Sequence, residues 1–167
     1  MSDEPIFGPE TLGPHHELDD FDCGIHSLND YLKRRAASDQ AADKSRTYVV
    51  CCGNRVVGYF SLAAAGVEAR DATGRAAKGQ GAQPVPAILI GRLAVDIAER
   101  GRGIGRELLI ETLVKSAHAA DTIGARVVLV HAVNEHARAF YLRYGFEPSP
   151  TDPLHLMMLM KDIRRSL

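Results

Sequence analysis

The segment Arg100-Gly101-Arg102-Gly103-Ile104-Gly105 lies between an apolar run at residues 87–95 and an apolar segment of helical spacing at residues 104–117. This order predicts a strand, a glycine-rich turn and the start of a helix. Alternating glycines let an anion approach the main chain, and the first N–H groups of the helix point at it. Arg100, Arg102 and Arg106 add positive charge. The segment therefore predicts a binding loop for a ligand with several phosphates.

Three phosphate-binding motifs compete for this loop. A P-loop carries Lys followed by Ser or Thr after its last glycine, but Arg106 and Glu107 occupy these positions. A dinucleotide fingerprint needs glycine at position 106 and an acidic residue at the end of the next strand, whereas Asp121 precedes that strand. The pattern that fits is Arg/Gln-x-x-Gly-x-Gly/Ala, which Arg100, Gly103 and Gly105 match in full. A plain glycine-rich turn with solvated arginines is the structural alternative.

Hydrophobic periodicity predicts the remaining elements. Helical spacing begins near Ser27 and continues, as one helix and a second short one, to about Asp43. Residues 47–52 and 56–64 flank Gly53-Asn54 and predict an antiparallel hairpin, with which the strands begin. The remaining predictions are a long mobile connection over 65–86, a strand over 87–95, a helix over 104–120, a buried strand over 125–133, a helix over 134–144 stopped by Gly145, and a last strand over 154–160. These elements predict a mixed α/β sandwich.

Length and composition indicate one domain, residues 1–167, in which 46% of the residues are hydrophobic. The net charge of −1 gives no overall attraction to nucleic acid or membranes, so an anionic partner must be met by local clusters. Residues 1–22 are polar and acidic, without the basic-then-apolar pattern of a secretory signal. No apolar run reaches the roughly 18 residues of a membrane span. We therefore expect a cytoplasmic protein with no membrane contact.

The spacing of cysteines and histidines predicts neither disulfides nor a metal site. The three cysteines form no Cys-x-x-Cys pair and are expected to be reduced. No histidine has two further ligands at metal spacing, and no Cys/His/Asp set for nucleophilic catalysis can be assembled. The residues concerned are Cys23, Cys51, Cys52, His15, His16, His131 and His136.

A second pattern lies in residues 134–146, which fit N-x-x-A-x-x-F-Y-x-x-x-G-F. Together with the glycine-rich loop, this pattern resembles the GCN5-related N-acetyltransferase (GNAT) family, whose pyrophosphate loop binds acetyl-coenzyme A (acetyl-CoA). The resemblance implies an α/β GNAT fold, a mixed, mostly antiparallel central sheet flanked by helices, with splayed central strands that hold the cofactor. Simple packing is the alternative explanation for Tyr141 and Tyr144. The matching residues are Asn134, Ala137, Phe140, Tyr141, Gly145 and Phe146.

The resemblance also implies roles for individual residues. Tyr141 is implied as the general acid that protonates the departing thiolate, because a phenol of pKa about 10 can donate to a thiolate of pKa about 8.5 within hydrogen-bond reach. Free N–H groups near Leu93 are expected to bind the pantetheine arm like an added strand and to polarise the thioester carbonyl. The implied cofactor-binding residues are Leu93, Ala94, Val95, Arg100, Gly101, Arg102, Gly103, Ile104, Gly105, Arg106, Asn134, Ala137 and Phe140.

Further segments resemble a narrower group, the acetyltransferase toxins of bacterial toxin–antitoxin modules. The most specific of them is Phe21-Asp22-Cys23-Gly24, and others lie at residues 59–62, 90–95 and 146–153. The resemblance implies a homodimeric toxin that acetylates the α-amino group of aminoacyl-tRNA and blocks translation. It also implies a ribbon-helix-helix antitoxin that neutralises the toxin.

Arg92 lies in the strand where many family members carry a general-base carboxylate. An α-amine has a pKa of about 7.7–8.0, so roughly a tenth of it is already neutral at pH 7 and its acetylation needs no strong base. An arginine inside an apolar strand needs a partner, and an anionic substrate would supply one. Lys33, Arg34 and Arg35 are expected to follow the tRNA backbone, although ordinary solvated helix faces carry the same residue types.

Three functions remain open on the sequence alone. The first is acetylation of aminoacyl-tRNA by direct transfer. The second is acetylation of a small-molecule or protein amine, for which Arg92, Lys33 and Arg34 would be dispensable. The third is a coenzyme A-binding regulatory module without catalysis, which the presence of Tyr141 disfavours.

Overall fold

The computed structural model describes residues 4–167, so the first three residues of the acidic N-terminal segment lie outside the described residues. Seven strands form a sheet in the order β1-β2-β3-β4-β5-β7-β6, in which β4 and β5 are parallel. The strands are β1 (Phe7–Thr11), β2 (Arg46–Cys52), β3 (Arg55–Val67), β4 (Val85–Val95), β5 (Val127–His131), β6 (Glu147–Pro148) and β7 (His155–Leu159). The helices are α1 (His26–Asp30), α2 (Ala36–Ala41), α3 (Gly74–Ala77), α4 (Ile104–Ile123), α5 (Glu135–Arg143) and α6 (Met160–Ser166).

Three short helical turns complete the secondary structure: a π-helical turn at Tyr31–Arg35 and 3₁₀ turns at Ala69–Asp71 and Ile97–Glu99. The chain packs as two compact units. The first unit holds the described residues up to Ala63 together with Gly91–Thr112, and the second holds Ala64–Ile90 and Leu113–Leu167. Within residues 4–167, no helix is both long enough and apolar enough to cross a membrane.

In the first unit, alternating residues of β2 pack against different helices, as the pleat of a strand requires. Val49 belongs to a core formed with α1 and the π-helical turn, whereas Val50 packs with Ile104 and Leu108 of α4. Gly58 of β3 makes room for this contact, because a Cβ there would lie 3.0 Å from Val50, 3.1 Å from Leu108 and 3.2 Å from Ile104. The start of α4 therefore lies tightly on the sheet.

In the second unit, the parallel pairing of β4 with β5 is short. It joins residues 87–90 to residues 127–130, so residues 91–95 of β4 have no β5 partner in this register. β5 also pairs antiparallel with β7, and Val127, Leu129, Met157 and Leu159 share a core with residues near α3. The parallel ladder between β4 and β5 thus ends at residue 90 of β4.

Most predicted elements are confirmed, with changes at their ends. The helical segment at 26–41, the hairpin around Gly53-Asn54, the strand ending at Val95 and the α5 helix followed by Gly145 agree with the prediction. α4 continues three residues beyond the predicted end, to Ile123, and β5 is shorter than predicted, at Val127–His131. The three cysteines are free and buried.

Three expectations about the fold are wrong. Strands begin with β1 and not with the hairpin, because β1 pairs antiparallel with β2 within the polar segment 1–22, for which no strand was predicted. Residues 65–86 are not an unstructured connection, since β3 continues to Val67 and α3 contributes the buried Ala76 to a core. The predicted last strand ends at Leu159, and Met160 starts α6 while its N–H donates to the Arg126 carbonyl at 2.8 Å. The short strand β6 was also not predicted.

Candidate active site

The glycine-rich loop is shaped by local turns in the first unit. The side chain of Asp96 accepts a hydrogen bond at 2.9 Å that caps the 3₁₀ turn before the loop. Gly101 and Gly103 have φ angles of +86° and +76°, which residues with side chains rarely adopt. The N–H of Glu107 donates to the Gly103 carbonyl at 3.1 Å in the first turn of α4. The N–H groups before it have no helical acceptor, so they are available to a diphosphate.

A buried carboxylate supports this loop. Glu99 is 1% exposed, and it accepts hydrogen bonds from Arg102 Nη1 at 2.9 Å and from Arg55 Nη2 at 3.2 Å. The hydrogen bond from Arg102, followed by that from Arg55, lowers the pKa of Glu99 below its ordinary 4.5, so the carboxylate is ionised at neutral pH. Arg102 Nη2 also donates to the Glu4 carbonyl at 2.8 Å. The Arg102 side chain is therefore engaged within the protein, and its main-chain N–H is the part left for a ligand.

The segment Phe21-Asp22-Cys23-Gly24 also supports the loop. The Asp22 carbonyl accepts from Ile97 N–H at 2.9 Å, and Asp22 N–H donates to Asp96 Oδ2 at 3.2 Å. The Cys23 carbonyl accepts a hydrogen bond from Arg100 Nη2 at 3.4 Å. The segment thus fixes the 3₁₀ turn before the loop and orients Arg100, which explains why a motif so far from the loop in sequence accompanies it.

The three predicted loop arginines differ in availability. Arg102 is tied to Glu99, whereas Arg100 and Arg106 are exposed. Arg106 Nη1 lies 3.4 Å from the exposed carboxylate of its neighbour Glu107, a contact of little energetic weight in water. Arg100 and Arg106 are therefore the two guanidinium groups at this loop that can meet solvent or an anion.

The end of β4 offers main-chain groups as well as side chains. Leu93 and Val95 are partly buried against the core that contains Ile104, and Ala94 is buried in the core that contains Tyr31. Because the pairing with β5 stops at residue 90, the edge of β4 beyond it has no β5 partner. The N–H of Leu93 as a donor to a thioester carbonyl remains a prediction.

Arg92 has an aromatic partner. Its guanidinium carbon lies 3.6 Å from the ring centroid of Tyr31, at cation–π distance, and that of Arg35 lies 5.6 Å from the same centroid. Tyr31 is 2% exposed, and its hydroxyl lies 3.0 Å from Asp39 Oδ2 and 2.9 Å from Ser45 Oγ. The Tyr31 ring holds the Arg92 guanidinium in place. A ring face does not accept the guanidinium N–H groups along their bond directions, so these donors are left for another acceptor.

The predicted basic set is only partly brought together. Arg35 shares the Tyr31 ring with Arg92, whereas Arg34 forms an exposed ion pair with Asp30 at 3.2 Å. Lys33 is exposed on the same π-helical turn. The structure thus pairs Arg35 with Arg92 and leaves Lys33 and Arg34 on a solvated face.

The second unit holds the residues predicted on α5. The Asn134 side chain accepts a hydrogen bond from Ala137 N–H at 2.9 Å and so caps the helix, while Gly145, with φ of +95°, follows its end. Asn134 therefore has a structural task, and its side-chain NH₂ remains for a ligand. Ala137 and Phe140 are partly buried.

Tyr141 is buried between two aromatic rings. Tyr141 is only 5% exposed. Its ring centroid lies 5.3 Å from that of Phe140 and 5.4 Å from that of Phe146, and both contacts are edge-on. Burial raises the pKa of Tyr141 above its ordinary value of 10. The hydroxyl therefore keeps its proton throughout the neutral pH range, as a proton donor must.

Sequence reasoning missed Glu99, Asp96 and Tyr31, which position the predicted residues. Glu99 is an acidic residue directly before an arginine-rich loop, and charge patterning is the signal that could have indicated its pairing. Asp96 precedes a short turn in the manner of a cap. No local pattern indicates that Tyr31 lies under Arg92, because the two residues are distant in sequence.

One cluster has residue types that can bind metals. Ligand atoms of Glu10, His16 and Cys51 lie within 4.8 Å of one another. However, Gly13 N–H donates to His16 Nδ1 at 2.9 Å, so the neutral ring carries its proton on Nε2, which donates to Glu10 Oε1 at 2.6 Å. Burial raises the pKa of Cys51 to about 11. The cluster is therefore a hydrogen-bonded His–Glu pair beside a neutral thiol.

Comparison with known proteins identifies the family. Residues 43–148 match the model of the acetyltransferase (GNAT) domain. The chain is 47% identical over 156 residues, 93% of each protein, to the tRNA-acetylating toxin of Mycobacterium tuberculosis. Among solved structures, AtaT complexed with acetyl-methionyl-tRNAfMet is 26% identical, with a TM-score of 0.87 over 98% of this chain and 99% of that one.

A second solved structure is a tyrosine-to-phenylalanine mutant of the AtaT toxin bound to the C-terminus of the antitoxin AtaR and acetyl-CoA. It is 27% identical, with a TM-score of 0.83 over 99% of both chains. The chain therefore belongs to the GNAT acetyltransferase family.

Proposed function

We propose that this protein moves the acetyl group of acetyl-CoA to the α-amino group of aminoacyl-tRNA by direct transfer, and so inhibits translation. The observation that carries the choice of substrate is the 47% identity, over 93% of the chain, to a tRNA-acetylating toxin. The glycine-rich loop and the protonated, buried phenol of Tyr141 supply the groups that acetyl transfer needs.

The loop residues fit a diphosphate. A Cβ at Gly103 would meet no atom within 4 Å, so this position is open, and its positive φ turns the main chain as a side-chain-bearing residue rarely can. We assign the N–H groups of residues 101–105 and the side chains of Arg100 and Arg106 to the phosphates. Leu93, Ala94, Val95, Asn134, Ala137 and Phe140 are assigned to the rest of the cofactor.

Acetyl-CoA supplies an acyl group already activated as a thioester. Nitrogen–carbon bond formation at the α-amine is coupled to cleavage of the carbon–sulfur bond, and Tyr141 Oη gives its proton to the departing sulfur. The amine loses one proton to solvent, and Tyr141 is reprotonated from solvent. Because burial raises the pKa of Tyr141, the phenol is protonated before each turnover. The same shift makes it a weaker acid than a thiol of pKa about 8.5, so it gives up its proton only as the departing sulfur develops its full negative charge within hydrogen-bond reach.

The substrate amine needs little help from the protein. An α-amine with a pKa of about 7.7–8.0 is already partly neutral at pH 7. Arg92, held on the Tyr31 ring, is assigned to the anionic end of the tRNA, together with Arg35, Arg34 and Lys33. Arginine at this point binds phosphate better than it could act as a base.

We further propose that residues 1–167 act as one catalytic domain in the cytoplasm, where aminoacyl-tRNA is used. A ribbon-helix-helix antitoxin and a homodimer complete the proposal. An antitoxin partner is supported by the solved AtaT toxin bound to the C-terminus of its antitoxin AtaR. The ribbon-helix-helix type and the homodimer are proposed from the family resemblance.

Mass spectrometry of charged tRNA tests this function. Bulk aminoacyl-tRNA is incubated with the protein and acetyl-CoA, the ester is cleaved, and the released amino acids are examined for a mass gain of one acetyl group. We expect acetylation of at least one isoacceptor. The Tyr141→Phe variant is the matched control and should form the same product much more slowly.

A lysine-containing peptide and a set of small amines are assayed in parallel. Acetylation of these amines, with every aminoacyl-tRNA unmodified, would overturn the choice of substrate but not the family. Absence of turnover on all amines, with acetyl-CoA still bound in a calorimeter, would overturn the enzymatic function itself.

A further inference from the structure

A basic cavity in the second unit is not used by the function proposed above. Its volume is 430 Å³, and it lies among α3, the start of β5 and the start of α6. Five cationic side chains line it: Arg75, Lys78, Arg126, Lys161 and Arg164. The remaining lining residues are apolar: Ala125 before β5, Leu159 at the end of β7 and Met160 at the start of α6. We call this feature the basic cavity.

The cations of the basic cavity outnumber the acids that contact them. Arg75 pairs with Asp162 at 2.9 Å and with Glu147 at 3.6 Å, and Arg164 pairs with Asp121 at 2.9 Å. Lys78 and Lys161 are exposed and form no ion pair with any of residues 4–167. The whole chain has a net charge of −1, so the positive charge of this cavity is a local excess that the overall composition does not have.

Arg126 is held in the cavity by hydrogen bonds to the main chain, unlike the lysines at the surface. It is partly buried, its Nε donates to the Ala76 carbonyl at 2.7 Å, and its Nη2 donates to the carbonyls of Lys78 and Arg75 at 3.1 and 3.2 Å. These bonds fix the guanidinium at the end of α3. The Nη1 donors make no hydrogen bond within residues 4–167. A fixed guanidinium with free donors suits a phosphate.

We propose that the basic cavity binds the phosphate backbone of the tRNA substrate, away from the reacting amine. This inference depends on the proposed function, because that function makes a polyanion the substrate. A protein of net charge −1 can bind a polyanion only through such local clusters. Exposed lysines beside a fixed arginine match a backbone that presents successive phosphates, and an open cavity accepts a continuous chain.

The position of the basic cavity fits an extended substrate. Arg126 directly precedes β5, and the five residues of β5 lead toward Asn134, the residue before α5 that is assigned to the cofactor. A five-residue strand spans about 17 Å. The cavity therefore lies about one strand length from this cofactor residue, and it would bind tRNA nucleotides other than the aminoacylated one.

Charge reversal at the two unpaired lysines tests this assignment. Lys78→Glu and Lys161→Glu are compared with Arg70→Glu, an exposed cation of the same unit outside the cavity. KM and kcat are measured with full-length aminoacyl-tRNA and with an aminoacyl-nucleoside that carries the same amino acid. We expect the cavity variants to raise KM for tRNA about tenfold and to reduce the salt dependence of log KM by about 0.7–0.9 per lost phosphate contact. Their kcat and their KM for the nucleoside should stay unchanged.

The outcomes separate the cavity from the function. An unchanged KM for tRNA in both cavity variants, or a rise equal to that of Arg70→Glu, would overturn the proposal. A KM that rises equally for tRNA and nucleoside would also overturn it, because the substitution then acts on the fold. If the wild type acetylates no aminoacyl-tRNA, the proposed function fails. Binding of uncharged tRNA by fluorescence anisotropy still tests the cavity in that case, and equal affinity in wild type and variants would reject it.

Discussion

Replacing Glu99 with glutamine should loosen the glycine-rich loop and destabilise the first unit. The Glu99 carboxylate is 1% exposed and accepts one charged hydrogen bond from each of Arg55 and Arg102, whose side chains are 30% and 20% exposed. A hydrogen bond to a charged group contributes about 1.5–3 kcal/mol, and the partly exposed arginines recover some water when it is lost. Glutamine keeps one oxygen that can accept from one arginine and places an NH₂ group against the other, so we expect the free energy of unfolding to fall by about 1.5–3 kcal/mol.

Urea unfolding followed by circular dichroism measures this loss, and acetyl transfer measures its effect on the loop. We expect KM for acetyl-CoA to rise in Glu99→Gln while kcat changes less, because the hydrogen bonds of Glu99 go to Arg55 and Arg102 and to no residue assigned to the transfer step. Glu107→Gln is the matched control, since Glu107 is exposed and lies 3.4 Å from Arg106. If both variants have the same unfolding free energy and the same KM, Glu99 does not support the loop and the reasoning is refuted.

Three further predictions concern Tyr141, pH and Arg92. Tyr141→Phe should lower kcat about 10²-fold to 10⁴-fold with little change in KM for acetyl-CoA, whereas Tyr144→Phe should leave kcat nearly unchanged. Equal rates in the two variants would show that Tyr141 is not the general acid. Because the folded pKa of Glu99 lies below 4.5, its stabilisation is present above that pH and is lost as pH falls through the folded pKa. Acid titration of unfolding should therefore show a shallower loss in Glu99→Gln than in the wild type, and parallel curves would contradict the assignment. Arg92→Ala should raise KM for aminoacyl-tRNA about tenfold. Arg92→Lys should raise it less, because lysine keeps the charge but not the planar contact with Tyr31. An unchanged KM in both variants would exclude Arg92 from tRNA binding.

The elements around the glycine-rich loop were predictable because their signals are local. Gly53-Asn54 between two β-rich runs is a hairpin signal, and Gly145 after a helical repeat marks its end. β1 carries no such signal, because its residues are mostly exposed and show no apolar alternation. Met160 continues an apolar run, so its change from strand to helix depends on the hydrogen bond to the Arg126 carbonyl and not on residue type.

The candidate site was predictable where a motif names residues and unpredictable where contacts join distant segments. The motif placed Gly101 and Gly103 in the loop, and their positive φ angles agree with that placement. The pairing of Glu99 with Arg55 and the contact of Arg92 with Tyr31 connect segments far apart in sequence. Side-chain periodicity carries no information about such pairs.

The hydrogen bonds that support the glycine-rich loop have a consequence for the order of events during synthesis. Asp22 and Asp96 are 74 residues apart in the chain, and Cys23 and Arg100 are 77 apart. A nascent chain must therefore extrude more than a hundred residues from the ribosome before the loop can close on its supports, and Tyr141 emerges later still. A nascent chain that ends before residue 141 therefore lacks its proton donor, whether or not the loop has closed, and it cannot carry out the acetyl transfer proposed above.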